Sequence, residues 1–417
     1  MLSATTLFGE DAPILRDRSF RLLLLANLTP PLGNALVSPL LDTLVGPLGT
    51  SEAEIGLLLT MFTAPSIFLI PLAGMLADRI GRKYVLIGGL LLFGAGGMGI
   101  AFTTDFRVVL GLRLLQGIGF AGLTPIIVTS LGDLYRGSEE ATAQGIRFST
   151  SGLSMMTFPF VAGVLVTIAW QFPFFLYGLT VPTALLLFVL FEEPMGTDPT
   201  RGESGTDIRT LARFVSNPRV AAVLVGRSVP NFLYTAFLTY NSFVVVRVIG
   251  GNPSEAGLLI TAASLMHAVS ATQAGRITDM FETRLYPLLG ATLSMAGGLT
   301  LVGLAPSLPV ALVGGGGVGL GFGLSLSLYR SVITDLTTEA TRGSVVGVGA
   351  SLGRISSTVA PIAMGFAVSV TDPILGFDIA VRGIVAAAGL LCGVVGVICL
   401  LVASRSPEVR SGDANPT

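Results

Sequence analysis

Along this chain, apolar runs of about 20 residues or more alternate with short polar breaks, and each run is long enough to cross a bilayer as a helix. Twelve such spans stand out, at 20–46, 53–77, 84–104, 107–133, 143–168, 171–191, 217–247, 253–275, 285–305, 308–333, 344–370 and 376–403. Lipid offers the backbone no hydrogen-bond partner, so the pattern predicts helices throughout. The polar stretch 192–216 divides the spans six and six, and a tail follows from 404 to 417. The expected organisation is therefore a bundle over 1–191, a linker over 192–216, a second bundle over 217–403 and a terminal tail.

Composition agrees with that pattern. Hydrophobic residues make up 51% of the 417 and charged residues 12%, with mean hydropathy +0.79; soluble domains are about a quarter charged. The first span is too long for a cleaved signal peptide and lacks the small-residue cleavage site. The two cysteines, Cys392 and Cys399, both fall in the last span and read as small packing residues.

Charge fixes the expected orientation. The net charge of −1 hides an asymmetry. With the amino terminus inside, eighteen of the 24 basic residues fall in inside segments, and only Arg107, Arg247 and Arg382 fall outside. The positive-inside rule then places both termini in the cytoplasm. Nothing in this distribution supports nucleic-acid binding. Arginine fills 23 of the 24 basic positions, which suggests a GC-rich genome and hence a prokaryotic plasma membrane.

Between the second and third spans lies GMLADRIGRK, Gly74 to Lys83, with four charged side chains in ten residues. It reads either as a charged turn that obeys the topology rule or as a built element. The second half of the chain favours the built element. Gly56, Gly74 and Asp78 recur 201 residues later as Gly257, Gly275 and Asp279. Gly117, Gly119, Phe120, Asp133, Gly145, Pro159 and Gly163 recur 202 residues later as Gly319, Gly321, Phe322, Asp335, Gly347, Pro361 and Gly365. Two homologous six-helix halves account for such a repeat.

On these residues the chain resembles the major facilitator superfamily over nearly its whole length. GMLADRIGRK matches the signature turn of that family, GRITDMFETR is a weaker copy, and RLLQGIGFA, Arg113 to Ala121, matches its fourth-helix motif. The resemblance implies an all-α membrane protein of twelve transmembrane helices in two pseudo-symmetric halves, working as a monomer whose halves rock about a central site. It also implies a gating role for the turn, through Gly74, Asp78, Arg79, Gly81 and Arg82, with Gly275, Asp279 and Arg284 as the weaker counterpart. TFPFVAG, Thr157 to Gly163, keeps only Pro159 and Gly163 of the fifth-helix element typical of proton-coupled efflux families. A helix bend with small-residue packing explains those two residues equally well.

Chemistry is best sought where the halves differ, because an ionisable group inside a span is costly. Arg113 stands opposite Gly315, Arg354 opposite Gly152, Arg227 opposite Ala26, His267 opposite Ser66 and Asp42 opposite Phe243. Asp42 is read as a proton or substrate group, or as a residue solvated near the outer surface. Arg113, with Gln116 of the same motif, is associated by resemblance with proton coupling. Arg354 lies about 16 Å into its span, near the midplane, and calls for a partner or an anionic ligand. Arg227 can snorkel to the inner surface. His267, the single histidine, suits proton transfer or a helix contact. Asn34, Asn231 and Tyr234 either line a cavity or fasten helices together.

No phosphate-binding loop, zinc motif or hydrolase elbow occurs in the sequence. The expectation is a transporter rather than an enzyme, with no cofactor or metal, energised by protons. Its partners would be the lipid bilayer and a small-molecule substrate. The leading reading is proton-coupled efflux of small amphipathic organic compounds, with Met155, Met156, Phe158 and Phe160 supplying an apolar lining. An anion transporter using Arg113 and Arg354 is the alternative. A non-transporting membrane sensor is the third, and the 14-residue tail offers it no signalling domain.

Overall fold

The computed structural model describes residues 9–193, 215–281, 283–337 and 339–405. Most of the expected linker, from 194 to 214, and the tail from 406 lie outside the described residues. All regular elements among the described residues are helical. The chain divides into two compact units, Met1–Thr197 and Asp198–Thr417.

In the first unit the helices are α1 (Arg18–Asn27), α2 (Leu32–Ala35), α3 (Leu41–Leu48), α4 (Leu57–Ile80), α5 (Arg82–Gly99), α6 (Phe106–Leu134), α7 (Ser138–Val166) and α8 (Thr180–Leu190). The first apolar span is thus a broken helix, whereas the hydropathy pattern predicts a continuous one. Pro30, Pro31 and Pro39 withhold backbone N–H groups and clash with the preceding turn, so the span runs as α1, α2, a short 3₁₀ turn at Ser38–Leu40 and α3. The sixth span likewise opens as a 3₁₀ helix, Phe172–Leu179, before α8.

The second unit holds α9 (Pro218–Phe243), α10 (Pro253–Asp279), α11 (Leu285–Leu304), α12 (Leu308–Leu336), α13 (Glu339–Leu375) and α14 (Phe377–Arg405). Helix α9 ends in a π turn, Val244–Val248, and α10 starts with a capping box between Asn252 and Glu255. Ten helices among the described residues are long and apolar enough to span a membrane. The first span falls outside that set because it is broken, and α10 because Ser, Thr, Gln and His dilute its apolar content.

The sequence repeat reappears as repeated packing. A Cβ on Gly96 would lie 2.6 Å from the Leu112 carbonyl and 2.8 Å from the Gln116 amide. One on Gly298 would lie 2.6 Å from the Gly314 carbonyl and 2.7 Å from the Val318 amide, each residue 202 positions on. Likewise Gly117 abuts the Phe62 carbonyl and Gly319 the Ala263 carbonyl, too close in both cases for any side chain. In each unit, glycine lets the fourth helix of the set touch the second and third backbone to backbone, where dispersion and shape hold helices together in lipid.

Candidate functional site

The turn Gly74–Lys83 joins α4 to α5. Gly81 adopts φ 97°, a conformation that side chains resist, and so reverses the chain in one residue. The first amides of α5 would then be orphaned. The carboxylate of Glu193, just beyond α8, accepts from the Arg82 amide at 2.6 Å and the Lys83 amide at 2.9 Å, where the helix dipole favours an anion. The Arg82 guanidinium pairs with Asp133 near the end of α6, and Asp78 adds its charge nearby. Asp78 and Arg79 themselves are exposed.

Two residues beyond Asp133, the Tyr135 hydroxyl donates to Asp17 at 2.5 Å. Asp17 also caps α1 by accepting from the Ser19 amide at 2.8 Å, and Phe20 packs edge-on against Tyr135. Burial and then this hydrogen bond hold the Tyr135 pKa well above the usual phenol value. Four helices of the first unit, α1, α5, α6 and α8, are therefore tied at one end through side chains.

The second unit repeats less of this. Gly275 and Asp279 lie at the end of α10, Asp279 is exposed, and Arg284 immediately precedes α11.

Deeper in the first unit, Arg113 of α6 is fully buried. Its Nε donates to the Leu58 carbonyl at 2.9 Å. Its Nη1 donates to the Gly33 carbonyl at 3.0 Å and to Gln116 Oε1 at 2.5 Å. Its Nη2 donates to Asn34 Oδ1 at 3.1 Å, and the Phe62 ring lies 4.6 Å from the guanidinium. Tyr177 donates to the Leu32 carbonyl at 2.9 Å and shares the Gly33 carbonyl at 3.3 Å. The carbonyls of Leu32 and Gly33 belong to the stretch that the prolines keep from forming a regular ladder. Protein oxygens thus occupy four of the five N–H groups of this guanidinium. At the matching place in the second unit, Leu259 packs against Gly315, its Cδ1 lying 2.5 Å from where a Cβ would be.

The remaining sequence candidates separate into distinct settings. Asn231 donates to the Arg227 carbonyl at 3.1 Å, and its Nδ2 would lie 2.8 Å from a Cβ on Gly353. Tyr234 is buried and stacked on Phe322 at 4.2 Å, with His267 edge-on to the same ring at 5.1 Å. In the first unit Phe62 fills the equivalent volume, lying over Gly33 and against Phe120 at 4.8 Å. Arg354 is half-buried, and its guanidinium has no hydrogen bond or ion pair among the described residues. Asp42 is half-buried in the first turn of α3, just after the break. Pro159 and Gly163 are buried in α7, which runs unbroken through them.

The model for the Major Facilitator Superfamily matches residues 23–250 and again 232–416. The chain belongs to the Major Facilitator Superfamily. Among curated relatives, it is 34% identical over 152 residues to the "Bacillibactin exporter" of Bacillus subtilis, an alignment that covers 34% of this chain and 37% of the relative. It is 23% identical over 239 residues to the "Quinolone resistance protein NorA" of Staphylococcus aureus, covering 57% and 61%. These matches span less than two thirds of either relative.

Solved structures share the fold over most of the chain. A bacterial homologue of the human lysosomal transporter Spinster superimposes with TM-score 0.78 at 18% identity, covering 94% of this chain and 98% of that one. The D-xylose-proton symporter gives 0.71 at 15% identity, covering 95% and 99%.

Within this major facilitator fold, sequence reasoning found Arg82, Arg113, Gln116 and Asn34 but missed Glu193 and Tyr177. Glu193 reads as the edge of a polar linker, and nothing local announces that it caps a helix 110 positions away. Tyr177 had a signal, since a tyrosine deep in a span needs a hydroxyl partner.

Proposed function

We propose that this chain is a secondary transporter that exports small amphipathic organic compounds in exchange for protons, by alternating exposure of a site to the two sides of the membrane. The observation that carries this reading is the Arg113 cluster: one buried cation grips the broken first span and joins it to α4 and α6. A discontinuous helix whose freed carbonyls are held by a side chain is a natural place for a site at membrane depth. The "Bacillibactin exporter" and "Quinolone resistance protein" relatives favour export over uptake.

In this reading Asp42 carries the proton, because it is the carboxylate next to the break in the first span, whereas the other described acids sit at the outer ends of the spans or in the turns between them. Asn34, Asn231, Tyr234, His267 and Arg354 contact the solute. Arg113 and Gln116 position the first span. Asp78 and Arg82 act at the cytoplasmic gate, with Asp279 and Arg284 as the weaker counterpart, and the basic excess on that face supports its lying inside. The transport unit is a monomer in the plasma membrane. Arg354, having no partner among the described residues, favours a second reading in which the solute is an anion.

The test is internal pH in proteoliposomes under an imposed proton gradient, with lipophilic cations and organic anions added to wild type and Asp42→Asn. Proton flux triggered by a solute and lost in the variant supports the reading. Flux that survives Asp42→Asn removes Asp42 from the proton path.

A further inference from the structure

The buried Arg113 fixes more than the backbone around it. Guanidinium nitrogens only donate, so an amide that meets them must offer its oxygen and turn its NH2 away. Two side-chain amides meet Arg113 in this way, Asn34 through Oδ1 at 3.1 Å and Gln116 through Oε1 at 2.5 Å. The cation therefore sets the orientation of both.

The two NH2 groups end in different surroundings. Gln116 is fully buried, and its Nε2 would lie 2.4 Å from a Cβ on Gly97, beside the Tyr177 ring, with no hydrogen-bond partner among the described residues. Arg113 and Tyr177 are fully buried as well. Asn34 is half-buried, and its Nδ2 donates to no oxygen among the described residues. It lies in α2, which touches α4, α6 and α7. Helix α1, ten residues long, carries the chain about 15 Å from the entry of the span before α2 begins. In the second unit Thr235 stands at the place of Asn34 and Gly315 at that of Arg113, so the shared scaffold requires neither.

The oxygens that hold Arg113, on Leu58, Gly33, Gln116 and Asn34, are all neutral, so they do not cancel its charge. The Asn34 amide has its oxygen on that cation, and polarisation along such a chain strengthens the N–H donors at the far end. The accessible side of the cluster thus presents donors in a positive field. A carboxylate at this position would satisfy Arg113 more strongly than an amide does, but it would remove the donor. We infer that Asn34 selects solutes that carry an acceptor oxygen, on a carboxylate or a carbonyl, by donating a hydrogen bond to it from Nδ2. This rests on the exporter reading and narrows its solutes to amphipathic compounds with such an oxygen. A solute whose polar end is an ammonium cannot accept the bond and is repelled by Arg113.

Naphthylacetate, naphthylacetamide and naphthylmethylammonium share a ring system and differ in the polar end. Their binding to full-length protein in a neutral detergent is followed by titration calorimetry. Wild type should bind the acetate most tightly, then the acetamide, and the ammonium most weakly. Asn34→Asp still offers an oxygen to Arg113, so it should melt at or above the wild-type Tm. It should nevertheless bind the acetate at least about tenfold more weakly, and the ammonium more tightly. Asn34→Ala truncates a half-buried side chain, so it keeps the fold even if Asn34→Asp does not. It should weaken the acetate and acetamide by about tenfold and leave the ammonium unchanged. An ammonium that wild type binds more tightly than the acetate, no saturable acetate binding, or unchanged acetate affinity in either folded variant would each overturn the inference. The titration needs no gradient. Binding in the expected order without proton flux would sink the coupled-export reading alone, and proton-driven transport of naphthylacetate that is unchanged in Asn34→Asp would sink this inference alone.

Discussion

Arg113 Nη1 lies 3.0 Å from the Gly33 carbonyl, so the fully buried cation of the first unit holds α2, the short helical turn that the prolines separate from the rest of the first span. Replacing Arg113 by Met strands the acceptors on Leu58, Gly33 and Gln116. Each orphaned group costs about 1–3 kcal/mol, so the variant should melt well below wild type or fail to accumulate. Arg113→Lys keeps the charge but cannot reach all four acceptors, and its Tm should fall between the two. Equal melting temperatures for the three proteins would contradict this account.

The glycine contacts predict opposite outcomes from one substitution. Gly319→Ala drives a methyl into the Ala263 carbonyl and should cost about 1–3 kcal/mol. Gly290→Ala meets nothing within 4 Å and should be neutral or stabilising by up to about 1 kcal/mol. Thermal unfolding in detergent reads both.

Glu193→Ala removes the acceptor shared by the Arg82 and Lys83 amides. The loss should be about 0.5–2 kcal/mol, as for other helix caps. Glu193→Gln keeps a single neutral acceptor and should recover part of it. Hydrogen exchange at the start of α5 should rise in the order wild type, Gln, Ala.

The Tyr135 contact makes a prediction about pH. Burial and donation to Asp17 raise this phenol's pKa in the folded protein, so its stabilisation is complete below the unfolded value of about 10 and is lost as pH rises beyond it. Tyr135→Phe should cost about 1 kcal/mol at pH 7, and the gap to wild type should narrow above about pH 10. A gap that widens with pH would mean that the contact involves an ionised phenol.

The sequence carried the architecture because apolar length and the Gly–Asp repeat are both one-dimensional signals. Gly117 and Gly319 recur in the chain since each lets one helix touch another at equivalent places. The break after Asn27 was written in Pro30, Pro31 and Pro39, but hydropathy averages over a proline and reads one span. Arg113 was legible as a costly charge. Its partners were not, because three of its four acceptors belong to residues 55 to 80 positions away. Arg227 looked like a snorkelling residue, whereas its guanidinium lies over Gly349 and donates to the Val346 carbonyl.

The central claim, coupled export, is tested most directly by uphill movement. Proteoliposomes carrying wild-type protein receive an imposed proton gradient, and accumulation of a labelled amphipathic solute is followed with and without a protonophore. The account predicts accumulation against the solute's own gradient that collapses with the protonophore and is lost in Asp42→Asn. Accumulation limited to equilibration in folded protein, and indifferent to the protonophore, would contradict it.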